Sequence, residues 1–380
     1  MDQNGPISFS DISRRYRCPA LKRTWFIDSA GSSVTFTPLT PGLRAFVLAH
    51  VTSSQRRLLE LLKGEYSLEM IQGRLHDEFP RLPSNAVAAM LDQLDRAGLL
   101  EEANPEPPAD WTPEYLYRYS RLLAVYAGYE RPDLSRFEQQ RRIRSAHIVL
   151  LGAGGIGSWI ALLLGQLGIG HLTIADDDAI NSSNLTRHAL FTERDIGRNK
   201  AQAAADALHR LNSEMEVTVI PRLIETEEEM IAVSRGADLV IVTFGPFFLA
   251  TPMLIQRACF RAGIPYVALG GLHLGPLVVP GKTACFACAQ SLITAGQASS
   301  SSVGFERREE VVLERGYYGI FAPLVATSTG LGAMEIAKFI TGFAPSALAN
   351  GLLYLNPTDL TLMRLAIPRN PTCPICGEAE

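Results

Sequence analysis

No run of the chain reaches the roughly 18 consecutive apolar residues of a membrane-spanning helix. The first residues, MDQNGPISFS, have neither the basic start nor the apolar stretch of a secretory signal. Both absences point to a cytoplasmic protein that does not meet a membrane. Charge is sparse: Asp, Glu, Lys and Arg make up 19% of 380 residues, and the net charge is −4. That leaves no basic footprint for nucleic acid. Cysteine is rare, six in all, and in a reducing compartment these are not expected to form disulfides. What is present is ordinary for a globular chain. Hydrophobic residues make up 47%, enough for two or three domains with cores of their own.

The chain reads as three sections without internal repeats. Residues 1–105 carry two short strands in TWFIDSAGSSVTFTPLT, joined by a Gly-Ser turn, and then three helices. Leu58, Leu59, Leu61 and Leu62 give the first helix its apolar face. Ser67 caps the second, which runs through Met70, Ile71 and Leu75. SNAVAAMLDQLDRAGLLEE is the third, closed by Gly98 ahead of another strand. Three helices with strands make a small winged-helix-like unit. A DNA-binding version would need a strongly basic recognition helix, and MIQGRLHDEF and VAAMLDQLDRAGLL are mixed or acidic. Residues 106–146 take in most of the Pro-rich linker NPEPPADWTPEY and a helical arm containing RYSR, Arg118 to Arg121. Residues 147–380 alternate strands (HIVLLGAG, HLTIADDD, VTVIP, ADLVIVTF, PYVALGG) with helical patterns. That order implies an α/β domain with a mainly parallel sheet covered on both faces. ASSSSVGFERREE, residues 298–310, reads as a polar loop.

The first strand of the large section runs into GAGGIG. Gly152, Gly154 and Gly157 fit G-x-G-x-x-G, with Gly155 between them, and Asp176 follows at the distance of a ribose-binding acid. The motif says that a phosphate can approach the start of a helix. NAD and ATP both have the phosphates and the ribose. The residues after Asp176 discriminate. Asn184, Arg187 and Lys200 place an amide and two cations beyond the second strand. That set suits a triphosphate, whose leaving group must be neutralised, whereas hydride transfer needs no such cluster. The plainer alternative leaves Arg187 and Lys200 as solvated surface charges. Four cysteines form two pairs, Cys285-x-x-Cys288 and Cys373-x-x-Cys376. Two such knuckles fit a tetrahedral structural Zn2+ with no open position. The alternative is two unrelated pairs of buried thiols.

These elements together resemble the E1-like superfamily, typified by ThiF and MoeB. The matching residues are GAGGIG, a strand ending in Asp176-x-Asp178, S-N-L-x-R (Ser183 to Arg187), I-G-x-x-K (Ile196 to Lys200), the upstream R-Y-x-R and the two C-x-x-C pairs. The resemblance covers about residues 115–377. It implies a Rossmann-like adenylation domain that binds ATP. Gly152, Gly154, Gly155 and Gly157 would line the phosphates, Asp176 would hold the ribose, and Asn184, Arg187 and Lys200 would contact the phosphates. It also implies a homodimer in which Arg121 reaches the neighbouring subunit's ATP. The family carries an aspartate after the fourth strand that helps place Mg2+, and here Gly245 stands at that position. Asp178 is then the candidate carboxylate for the metal. A weakened site, or cleavage of ATP at a different phosphate, also fits the departure.

Residues 1–105 resemble the PqqD-like leader-peptide recognition fold. With GPLVVPGKTACFACAQ and RNPTCPICG, they bring the chain nearest to the microcin-C-type and pantocin-A-type enzymes. Those enzymes activate a carboxylate of a ribosomally made precursor peptide. The implied partner is a precursor peptide with its leader, added as a strand along the small sheet's edge. Glutamate side-chain activation with cyclisation, as in pantocin A, is the favoured reaction. Microcin-type adenylylation with a P–N bond, adenylation of a sulfur-carrier protein, and a non-catalytic leader-binding role are the alternatives. No cysteine lies between Cys288 and Cys373, so no enzyme thioester is expected. His273, after the fifth strand, is either a base or a structural histidine. Glu306, Arg307 and Arg308 lie in the polar loop.

Overall fold

The computed structural model describes residues 9–40, 42–131, 133–243, 253–289, 291–292 and 319–377. The chain divides into two compact units, residues up to 140 and from 141 onward.

The first unit runs α1 (Phe9–Arg15), β1 (Pro19–Leu21), β2 (Trp25–Ala30), β3 (Ser33–Pro38), β4 (Phe46–Leu48), α2 (Ser53–Leu61), α3 (Leu68–Glu78), α4 (Ala86–Arg96) and β5 (Leu100–Glu102). The arm follows as α5 (Pro113–Arg118), α6 (Ser120–Gly128) and the start of α7 (Arg136–Ser145). β2, β3 and β4 form an antiparallel sheet in that order, and β1 pairs with β5. Alternation decides which face is covered. Trp25, Val34 and Phe36 are buried against Leu58, Leu61, Ile71, Leu75 and Leu91 of the three helices, while Phe26 and Val47 face outward. Local chemistry sets the helix starts. Thr52 and Gln55 form a capping box on α2, and the Ser67 hydroxyl accepts from the Met70 N–H on α3. The arm is fastened within this unit. The Arg136 guanidinium donates to Glu101 of β5 at 2.6 Å and to Glu130 at 2.7 Å. Trp111, Tyr115 and Tyr119 make an aromatic cluster with ring centroids 4.6–4.9 Å apart along the sequence.

The second unit holds β6 (His147–Leu151), α8 (Gly155–Leu167), β7 (His171–Ala175), α9 (Lys200–Leu211), β8 (Glu216–Ile220), α10 (Glu227–Val233), β9 (Leu239–Val242), α11 (Met253–Ala262), β10 (Tyr266–Leu269), β11 (His273–Val278), α12 (Ala322–Thr341), β12 (Gly351–Leu355) and β13 (Leu362–Ala366). All eight strands form one sheet, ordered β13-β12-β11-β10-β9-β6-β7-β8. β8, β7, β6, β9 and β10 are parallel neighbours; β11, β12 and β13 join antiparallel. The α/β architecture with a mainly parallel sheet is as the sequence implies. Successive residues of β6 point to opposite cores. Ile148 and Leu150 pack with Ile160, Leu164 and Leu208 of α8 and α9, and Val149 and Leu151 pack with Ile255 and Cys259 of α11. Strand order reverses between β6 and β9, so the carboxyl ends of these strands open the crevice where such sheets bind ligands. Among the described residues no helix is long and apolar enough to cross a membrane.

Candidate nucleotide site and metal centre

The glycine loop occupies that crevice, and each glycine there has a different physical reason. Gly152 has φ +95, a conformation that side chains disfavour. A Cβ on Gly157 would stand 1.9 Å from the Gly152 carbonyl oxygen and 2.9 Å from Thr243 Oγ1, so α8 can start this close to β6 and β9 only with glycine. Gly154 caps α8 and has nothing within 4 Å of its Cβ position, which leaves the helix N-terminus open to a ligand. Gly155 lies under the Arg187 side chain, whose Cγ is 3.4 Å from its Cβ position.

Asp176 directly follows β7 and is buried. Its Oδ2 accepts from the Ala153 N–H at 2.6 Å and its Oδ1 from the Asp178 N–H at 2.9 Å. Burial pushes its carboxyl above the usual aspartate range, and those two N–H groups and Lys200 pull it back down in part. The carboxylate therefore anchors the glycine loop to the end of β7. It also lines a cavity of about 160 Å³ with Gly152, Asp178, Leu223, Ile224 and Ile255. Those side chains offer apolar walls for a base and a carboxylate for a sugar.

Lys200 is the first residue of α9 and is 7% exposed. Its Nζ donates to Asp178 Oδ2 at 2.6 Å, and the Asp178 side chain is 66% exposed. Asp178, read from sequence as a metal carboxylate, pairs with Lys200 through its Oδ2. Asn184 is buried in a short turn, Ser182–Thr186, where its Oδ1 accepts from the Asn181 N–H at 3.1 Å. Arg187 donates to the Ser183 carbonyl at 2.9 Å, and its own carbonyl accepts from Trp159 Nε1 at 3.1 Å. The structure therefore brings together Gly152, Gly154, Gly155, Gly157, Asp176 and Asp178 at the strand ends, with Arg187 against Gly155 and Lys200 on Asp178. Arg121 is exposed on α6, in the other unit. Gly245, Glu306, Arg307 and Arg308 lie outside the described residues.

Sequence reasoning missed Thr243, Leu223, Ile224 and His188. Thr243, just after β9, sits 3.0 Å from the Leu151 carbonyl and 2.8 Å from that of Gly152, holding the loop. Leu223 and Ile224, after β8, wall the cavity; their place at a strand's carboxyl end was the available signal. His188 is flanked by the cations.

Histidine burial makes a pH prediction. His188 and His273 are held down to about 4, first by burial and, for His188, then by Lys200 and Arg187. His147 is also lowered, by burial and then by His171, whose ring stacks on it at 3.9 Å. The unfolded chain then binds protons that the fold does not. Stability is complete above pH 6.5 and is lost as pH falls toward 4. Denaturant titrations at pH 7.5 and pH 5 are expected to differ by about 2 kcal/mol, allowing for solvent screening of His188. Equal stability at the two pH values would contradict this.

The four knuckle cysteines meet on one side of the sheet. All four Sγ atoms lie within 4.8 Å of one another and are buried. Cys285–Cys373 is 3.5 Å, Cys288–Cys376 3.4 Å and Cys285–Cys288 3.9 Å. Tetrahedral zinc with Zn–S near 2.3 Å needs sulfurs about 3.8 Å apart, so the donor set fits. Burial opposes ionisation of Cys373, but the N–H groups of Cys376 and Ile375 bring its thiol down to about 7. Two unrelated thiol pairs would not converge like this.

Comparison with known proteins agrees with this geometry. The ThiF family matches residues 126–375. Molybdopterin-synthase adenylyltransferase of Escherichia coli K12 is 25% identical over 274 residues, 71% of this chain and 100% of that protein. By structure, E. coli MccB, solved with MccA-N7isoAsn, has a TM-score of 0.72 at 24% identity, covering 95% of this chain and 99% of that one. PaaA has a TM-score of 0.66 at 20% identity over 91% and 99% of the two chains. At these identities the structural matches establish the fold alone. The family match spans the glycine loop, Asp176, the Arg187–Lys200 segment and three of the four cysteines. The chain belongs to the ThiF family of E1-like, ATP-dependent enzymes.

Proposed function

We propose that the protein uses ATP to activate a carboxylate of a ribosomally synthesised precursor peptide, whose leader the first unit holds. One observation carries the reading. The molybdopterin-synthase relative is used up completely by 71% of this chain, whereas MccB and PaaA extend over 95% and 91% of it. The first unit is therefore what this chain shares with those two. MccB, a microcin C7 biosynthetic enzyme, has been solved with N-formylated MccA.

In this reading the reaction is an attack at the α-phosphorus, which the donors present would support. A carboxylate oxygen attacks the α-phosphorus, the Pα–O bond to the β-phosphate breaks, and its electron pair leaves on pyrophosphate. The Gly154–Gly155 N-terminus of α8, Arg187 and Lys200 would carry the developing charge, and the walls formed by Leu223, Ile224 and Ile255 would fix the base. Asp178 and phosphate oxygens would hold Mg2+, which would supply further charge neutralisation. Arg121 would reach the ATP of a second subunit in a homodimer. Glutamate side chains are the preferred carboxylates to activate: ring closure on the acyl adenylate would expel AMP, for a net loss of one water from the peptide; attack by a backbone amide with formation of a P–N bond is the variant. The second reading, adenylation of a sulfur-carrier protein, is favoured by relatives named as sulfur carrier protein adenylyltransferases.

The leader would pair with β4, an edge of the small sheet whose Val47 is 57% exposed, on the same face as exposed Phe26 of the opposite edge strand. Val47→Lys is expected to raise the peptide KM at least tenfold, roughly the weight of one lost apolar anchor, with kcat at saturating peptide unchanged. An unaltered KM would remove β4 from the leader site.

A further inference from the structure

One half-buried titratable group beside the glycine loop has no part in the reaction above. His188 follows Arg187 in the segment that crosses the start of α8, and both its neighbours are pinned there. The Arg187 carbonyl accepts from Trp159 Nε1 at 3.1 Å, and the Ala189 N–H donates to Ser158 Oγ at 3.1 Å. The His188 N–H itself donates to the Asn184 carbonyl at 3.2 Å. The imidazole stands edge-on to Phe191, centroids 5.3 Å apart, and its Nδ1 is buried without a hydrogen-bond partner. An unmatched buried nitrogen is a cost that a merely space-filling side chain would avoid.

We propose that His188 takes up a proton when the nucleotide's triphosphate binds, and so becomes a third cation beside Arg187 and Lys200. The proposal rests on the reading of those two residues as phosphate contacts. Burial first, and then the charges of Lys200 and Arg187, keep the ring neutral at pH 7. A bound polyphosphate reverses the sign of the local field, and the burial contribution alone remains against the proton. The proton comes from solvent on binding and returns to solvent as pyrophosphate leaves, so the cycle is balanced. The consequence is an anion site that gains its last positive charge only when filled. Two permanent cations and a neutral imidazole repel one another less in the empty protein than three cations would.

The test uses wild-type protein with 13C-labelled histidine, His188→Gln to identify the signal, and α,β-methylene ATP as the probe. If His188→Gln does not fold, His188→Asn serves for the assignment. The His188 midpoint is expected near 4 without nucleotide and above about 6 with it. His188→Gln is expected to weaken binding of the analogue roughly fivefold at pH 6 and to leave it unchanged at pH 8, a pH profile that a packing role would not produce. A midpoint that stays put while the analogue binds overturns the proposal and leaves the nucleotide site intact. Failure of the wild-type protein to bind the analogue overturns the nucleotide-site reading and the proposal with it.

Discussion

Replacing Lys200 by alanine is expected to lower peptide-dependent ATP turnover about a thousandfold and to move the melting temperature little. The reasoning separates two roles for one side chain. Lys200 is buried, so its charge acts across a poorly screened distance on whatever anion enters beside the glycine loop. Its partner in the resting protein, Asp178, is mostly exposed. Removing the lysine leaves a carboxylate that water can solvate, which is why the folding cost is small. Arginine at the same place is expected to rescue little. Its planar fork does not reproduce the compact ammonium between Asp178 and a phosphate. Steady-state rates with a melting curve for each variant decide the matter. A large fall in melting temperature with kcat near wild type would make Lys200 a structural residue.

Removing metal from the four-cysteine centre is expected to be the second large effect. Cys285 and Cys373 are 88 residues apart in sequence and adjacent in space, so an ion there ties the sheet's C-terminal extension to its middle. Zinc binding of this kind is folding free energy. One zinc per chain is expected by elemental analysis. A strong chelator, or Cys373→Ser, is expected to lower the melting temperature by more than about 10 °C. Protein that carries no metal and melts identically after chelation would mean that the four thiols are simply packed together.

The parallel half of the large sheet is legible because its strands are continuous apolar runs between turn signals: HIVLL, HLTIA and LVIV each stand out. The antiparallel half is not. β11 contains Gly275-Pro276, which reads as a break. β13, LMRLA, is an edge strand with every residue exposed and so has no alternation to find. α12 is hidden for another reason. APLVATSTGLGAMEIAKFIT has two interior glycines and three threonines, and packing against α8, not propensity, makes it a helix. In the first unit, β1 and β4 are three residues each, too short for a pattern. The site divides in the same way. The glycines, Asp176 and the cysteines are fixed by local spacing, and the sequence shows them. Thr243, Ile255 and the Leu223–Ile224 wall reach the crevice only because strand order reverses between β6 and β9, which no local pattern records. The pairing of Lys200 with Asp178 also needs the fold, since 22 residues separate them.

The central claim is that ATP is spent on activating a peptide carboxylate. The most direct measurement incubates the protein with ATP, Mg2+ and a candidate precursor peptide, resolves the nucleotide products and weighs the peptide. Peptide-dependent AMP and pyrophosphate, with a peptide lighter by one or more waters or heavier by AMP, is the result expected here. ADP and phosphate would move the attack to the terminal phosphate and contradict adenylation. Peptide that binds without any ATP cleavage would contradict the claim itself.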